Sequence, residues 1–251
     1  MTVPEKVNLG EVQETLLIPL YIRAKETKSE NPKLHDKEAV ELIEKIDYDF
    51  SKFDNAKGSY LGVVSRTIIL DREVQKFINE HPDCVIVNIG CADVIEVREK
   101  YLNKKENCFN VAKSLLDEDW PESIDSGDKE VLLLAEGVFM YFTEEEVKKF
   151  ISIVKKHYKK VTLYAEIMHS FIAGRTKQHD AVSNTNATFK WGVKYAKDVE
   201  NLDPGVKFIT EWNFVDEMAN FGGLMMRLSS KVYFFKNFCD KFGVYEITQT
   251  N

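Results

Sequence analysis

The chain has 251 residues, 44% of them hydrophobic and 12% aromatic, which is enough for one large α/β domain with a continuous core. Its formal net charge of −7 comes from 41 acidic and 34 basic residues spread along the sequence, an arrangement that offers no face for phosphate backbones and argues against nucleic acid as a partner. Four cysteines, Cys84, Cys91, Cys108 and Cys239, share no C-x-x-C spacing, and the start of the chain has no apolar run behind basic residues. Reduced thiols, a cytoplasmic location and no membrane span are therefore expected.

From Leu9 to about Phe50 the apolar residues Val12, Leu16 and Leu20, then Ala39, Val40, Leu42, Ile43 and Ile46, recur at helical steps, with Asn31-Pro-Lys-Leu-His-Asp36 as a break. A further helix is expected from about Tyr60 to His81, carrying Val63, Val64, Ile68, Leu70, Val74, Phe77 and Ile78 and stopped by Pro82. Together these make an N-terminal helical cap over residues 1–82. Cys84-Val-Ile-Val-Asn-Ile-Gly90, Val131-Leu-Leu-Leu-Ala135 and Val161-Thr-Leu-Tyr-Ala165 are short apolar runs rich in β-branched residues, as strands buried on both faces of a parallel sheet are. Between the last two, Thr143-Glu-Glu-Glu146 opens a helix through Tyr158 as a capping box, which completes a βαβ unit. The expected fold is a doubly wound, Rossmann-like α/β sheet with its core over residues 83–167. Residues 168–228 are expected to form a lid insertion, and Lys231–Phe235 with Phe242–Ile247 a closing antiparallel hairpin within 229–251.

In open parallel sheets ligands bind beyond the carboxyl ends of the strands, so the residues that follow each strand are the candidates. Gly90 lets a backbone approach a nucleotide or a carboxylate, although a plain tight turn explains it equally well. Glu136 directly follows four apolar residues, where an unpaired charge would be costly unless it faces a cleft or has a partner. Ser114-Leu-Leu-Asp-Glu-Asp-Trp120 could bond and stack on an adenine, or Asp117 or Asp119 could simply cap a helix. A phosphate loop, a nucleophile elbow and metal-ligand spacing are absent from the sequence. Gly90-Cys-Ala-Asp-Val-Ile also lacks the G-x-G-x-x-G of a nicotinamide-dependent oxidoreductase.

Several strings resemble the leucine carboxyl methyltransferases, and within them the bacterial branch similar to tetracenomycin-type polyketide O-methyltransferases. They are Ile22-Arg-Ala24, Ser65-Arg-Thr67, Val87-Asn-Ile-Gly-Cys91, Ser114-Leu-Leu-Asp-Glu-Asp-Trp120, Leu134-Ala-Glu-Gly-Val-Phe-Met-Tyr141 and Phe189-Lys-Trp-Gly192. The resemblance implies S-adenosylmethionine as cofactor and a small-molecule methyl acceptor. It also implies that Arg66 pairs with the methionine carboxylate, that Gly90 lies under the cofactor, that Ser114, Leu115 and Asp117 meet the adenine, and that Glu136 lies near the amino end or the sulfonium. Tyr141 would line the substrate pocket, though a core tyrosine fits it as well, and Arg23 would reach the site from the first helix.

The chain departs from that family after Gly90-Cys91. There the sequence passes straight to Ala92-Asp-Val-Ile-Glu-Val-Arg-Glu-Lys-Tyr101, a helix-like stretch, and omits a crossover helix and second strand of roughly two dozen residues that would carry the ribose-binding acid. Either a segment of the natural chain is missing from this sequence at that point or the protein has lost it. The first is preferred, because loss of an interior strand should be severely destabilising. The expected activity is methylation of a carboxylate, which is ionised at pH 7 and needs no base, or of a hydroxyl, for which His169 or His179 could serve. The alternative is an inactive, ligand-binding relative.

Overall fold

The structure, a computed structural model, describes residue 6 and residues 13–90, 107–178, 182 and 186–249. The expected helix over Ala92–Tyr101, together with Leu9, Val12, Cys91 and His179, lies outside the described residues.

The cap follows its sequence. A 3-10 turn at Gln13–Leu16 leads into α1 (Leu17–Thr27), and the Asn31–Asp36 break separates it from α2 (Lys37–Lys45), whose N-cap Asp36 accepts a hydrogen bond from the Ala39 N–H at 2.9 Å. The long α3 (Lys57–Glu80) stops one residue before His81-Pro82.

Six strands form one sheet: β1 (Val85–Gly90), β2 (Cys108–Ala112), β3 (Val131–Ala135), β4 (Lys160–Ile167), β5 (Val206–Asn213) and β6 (Lys241–Thr248), in the order β2-β1-β3-β4-β6-β5. The pairs β1–β2, β1–β3 and β3–β4 are parallel, whereas β6 runs antiparallel to both β4 and β5. Side chains alternate between the two faces as strand geometry requires. Leu132, Tyr164 and Val244 pack with Phe77, Leu70, Val74 and Ile78 of α3. On the other face Leu133, Leu163, Ala165 and Tyr245 pack with Val147, Phe150, Ile151 and Val154 of α4 (Glu144–His157). Helices cover both faces, as in a doubly wound fold. The capping box that opens α4 is formed in both directions: the Thr143 N–H donates to Glu146 Oε2 at 2.7 Å, and the Glu146 N–H donates to Thr143 Oγ1 at 3.2 Å.

Two expectations are corrected. The sheet does not lack a second strand, because Cys108–Ala112 lies directly beside β1, from Ile86↔Cys108 to Gly90↔Ala112. That strand escapes periodicity reasoning because it is short, carries Asn110 at its centre and follows Asn107, whose φ is +59°. The closing antiparallel pair does form, but the partner of β6 is β5 and not Lys231–Phe235. Val232 instead precedes α7 (Tyr233–Phe238), the last of three short helices after α5 (Phe214–Phe221) and α6 (Gly223–Ser229). Both edges of β6 are already taken, so the aromatic run has no ladder to join.

Candidate active site

The chain leaves β1 towards β2 on one side while β3 lies on the other, so the switch point of the sheet falls between the carboxyl ends of β1 and β3. Gly90 ends β1, and Glu136 follows β3. The β1–β2 register sets Gly90 against Ala112, which puts the turn beginning at Ser114 at the same edge.

Arg66 of α3 reaches this edge. Its Nη1 donates to Glu166 Oε2 at 2.9 Å, and its Nε lies 2.8 Å from Glu136 Oε1 at an angle that gives an ion pair without a formed hydrogen bond. The side chains of Arg66 and Glu166 are 12% and 5% exposed and that of Glu136 is 33% exposed, so Glu136 is the member that faces outward. Gly137, at φ +65°, turns the chain after β3 so that its N–H donates to the same Glu166 oxygen at 2.7 Å, a conformation a side chain would strain. Burial alone would lower the Arg66 pKa, but the charges of Glu166 and Glu136 outweigh it and keep the guanidinium ionised. Burial raises the Glu166 pKa, and Glu136 adds to the rise while Arg66 and the Gly137 N–H oppose it.

Asp240, which ends the connection into β6, belongs to the same electrostatic neighbourhood. It is half-buried, and desolvation pushes its pKa up to about 7, with the Glu166 charge adding to the rise and Arg66 and Lys241 opposing it. Two carboxylates, Glu136 and Glu166, thus meet one guanidinium, with Asp240 within electrostatic reach of them.

Ser114 and Asp117 close their own turn: the Ser114 N–H donates to Asp117 Oδ2 at 3.0 Å and the Asp117 N–H donates to the Ser114 carbonyl at 3.0 Å. Leu115 is buried, and its carbonyl accepts from Trp120 Nε1 at 3.3 Å. Arg23 pairs with Asp36 at 2.7 Å, across the corner between α1 and α2. Tyr141 is buried, with its ring 5.5 Å from that of Phe189, and desolvation raises its pKa. These contacts pack it between the end of β3 and the segment around Phe189. His169 is not solvent-facing. It is 9% exposed, its ring stacks on Phe238 at 4.3 Å, and its Nδ1 accepts the Phe171 N–H at 3.0 Å. That bond assigns the proton of the neutral ring to Nε2, and burial, with Lys241 and Lys194 nearby, lowers its pKa.

Sequence reasoning missed Glu166 and Asp240. Glu166 could have been found by the argument that found Glu136, since it is an acid directly after the apolar run Leu163-Tyr-Ala165. No local signal marks Asp240, whose neighbours come from distant strands. A cleft of ≈ 370 Å³ also opens in the cap between Ile22, Phe53 and Tyr60, but it includes neither Arg66 nor Glu136.

No family model matches the chain. It is 27% identical over 234 residues to the tetracenomycin polyketide synthesis O-methyltransferase TcmP of Streptomyces glaucescens, covering 84% of this chain and 86% of that protein. A second relative, the S-adenosyl-L-methionine-dependent methyltransferase dpfgK of Gibberella zeae, is 23% identical over 259 residues, covering 86% of this chain and 87% of that protein. The chain is an S-adenosylmethionine-dependent methyltransferase, similar to TcmP over most of its length. The fold agrees with a DUF574-family protein of Streptomyces avermitilis (TM-score 0.52, 9% identity, 91% of this chain and 96% of that one). It also agrees with a candidate methyltransferase of Thermobifida fusca (TM-score 0.51, 10% identity, 90% and 94%). In the TcmP alignment, 84% of 251 residues is about 211, so about two dozen of its 234 positions stand opposite no residue of this TcmP-like chain.

The residues present fit the methyl donor's charge. Its sulfonium and ammonium are cationic, and the excess of carboxylate around Arg66, with Glu136 facing outward, suits them.

Proposed function

We propose that this methyltransferase acts on an oxygen of a small molecule, a carboxylate in the first instance, with S-adenosylmethionine held across the switch point. The observation that carries this reading is the Arg66–Glu136–Glu166 cluster at the carboxyl edge between β1 and β3. Glu166 and the Gly137 N–H fix the cluster from the buried side, Arg66 receives the methionine carboxylate, and Glu136 takes the cationic end. Gly90 lies under the cofactor, and the turn of Ser114, Leu115 and Asp117 bounds the adenine. Arg23 acts from one step away, through the α1–α2 corner, and Tyr141 shapes the wall towards the acceptor. The bound cofactor supplies a methyl group already activated by its sulfonium, so the protein's task is chiefly to position the acceptor in line.

The carboxylate is favoured over a hydroxyl because of His169. With Nδ1 occupied by the Phe171 N–H and the proton on Nε2, this histidine is arranged to donate and not to abstract, and an ionised carboxylate needs no base. The name of TcmP, an O-methyltransferase, supports oxygen as the acceptor atom. The test is methyl transfer from labelled S-adenosylmethionine to a panel of aromatic carboxylic acids and phenols. A product whose label is released by mild alkali is an ester and supports the proposal, whereas an alkali-stable product is an ether and replaces the carboxylate by a hydroxyl.

A further inference from the structure

The segment from Gly223 to Phe238, which holds α6 and α7, buries none of its helical residues. Met225 is 82% exposed, Leu224 74%, Tyr233 73% and Phe234 71%, with Leu228 and Val232 more than half exposed. Single exposed apolar residues need no explanation, but seven large ones within a dozen positions, Phe235 included, form a patch of the kind that marks a docking surface. The charge of the segment is equally uneven. It carries Arg227, Lys231 and Lys236 and no acidic residue, in a chain whose net charge is −7. Only Lys236 is drawn aside, by Asp216 of α5 at 2.5 Å, while Arg227 turns its Nε to the Ala219 carbonyl at 3.2 Å.

We propose that α6 and α7 form a peripheral docking surface for an anionic lipid bilayer. Aromatic and aliphatic side chains enter the headgroup boundary, and Arg227 and Lys231 meet the phosphates, the division of labour found in interfacial helices. The charge pattern selects this occupant over a second copy of the chain. A two-fold contact through the patch would set cations against cations, and an asymmetric contact with an acidic face elsewhere would not close. The patch continues to the carboxyl edge of the sheet. Phe234 packs on Phe238 at 4.9 Å, and Phe238 contacts Phe171 at 5.4 Å and stacks on His169, two residues beyond β4. Docking would therefore bring that edge to the lipid surface, where apolar small molecules concentrate. The docking itself does not depend on the methyltransferase reading.

The experiment is flotation of the full chain with vesicles of phosphatidylglycerol and phosphatidylcholine, against vesicles of phosphatidylcholine alone, with sedimentation in parallel. The wild-type chain should float with the anionic vesicles and lose that association in high salt. Met225→Glu with Phe234→Glu, and separately Arg227→Glu with Lys231→Glu, should each lower binding by about tenfold or more. All four positions are at the surface, so circular dichroism and Tm should stay unchanged and any loss is not one of folding. Three results would overturn the proposal: no flotation of the wild-type chain, flotation that the substitutions leave intact, or a wild-type dimer that the same substitutions split.

Discussion

Arg66 holds the site together, and its two carboxylate partners make its removal a test of both fold and function. Arg66→Ala leaves Glu166 buried with the Gly137 N–H as its remaining partner in the cluster, and it should cost about 3 kcal/mol, read as a lower midpoint in urea. Glu136→Ala should leave stability almost unchanged, because a third of that side chain is exposed, and should act on the cofactor alone. Asp240 gives a prediction in pH. Its folded pKa lies near 7 against an ordinary 3.8, so its contribution to stability is full below about 3.8 and is lost as pH rises towards 7. Asp240→Asn should therefore raise Tm relative to wild type at pH 8 and show little difference at pH 4. An equal shift at both pH values would mean that desolvation does not govern this carboxyl.

Among the elements, α4 is the one whose start is written out in the sequence. Thr143→Ala removes the side-chain half of the capping box, and a loss of about 1 kcal/mol in thermal or urea unfolding is expected. Elements with a strong local signal were legible: α3 from its 3.6-residue period, β3 and β4 from unbroken apolar runs, and α4 from its box. Those decided by long-range pairing were not. Cys108–Ala112 is a strand because β1 offers it an edge, and Val206–Asn213 is one because β6 does, although Lys207, Glu211 and Trp212 hide the alternation. The aromatic run at Tyr233–Phe235 has higher strand propensity than either and is helical, since tertiary pairing overrides local preference. The same division applies to the site. Glu136 stood out as a charge after an apolar run, whereas the closure of Ser114 on Asp117 and the tie between Arg23 and Asp36 depend on how turns and helices meet.

At the scale of the whole molecule, the doubly wound sheet creates a switch point between β1 and β3. The cap delivers Arg66 to it, β4 contributes Glu166, and Asp240 comes from the connection into β6. The chain is shorter than its TcmP alignment by about two dozen positions, yet β2 closes the sheet beside β1. On the proposed function, this edge binds S-adenosylmethionine through the Arg66–Glu136–Glu166 cluster. Titration calorimetry of the folded chain with S-adenosylmethionine tests it most directly. Binding with a roughly micromolar Kd is expected, weakened by at least about tenfold in Glu136→Ala while Tm stays unchanged. A folded wild-type chain that takes up no S-adenosylmethionine, or one whose affinity is indifferent to Glu136→Ala, would contradict it.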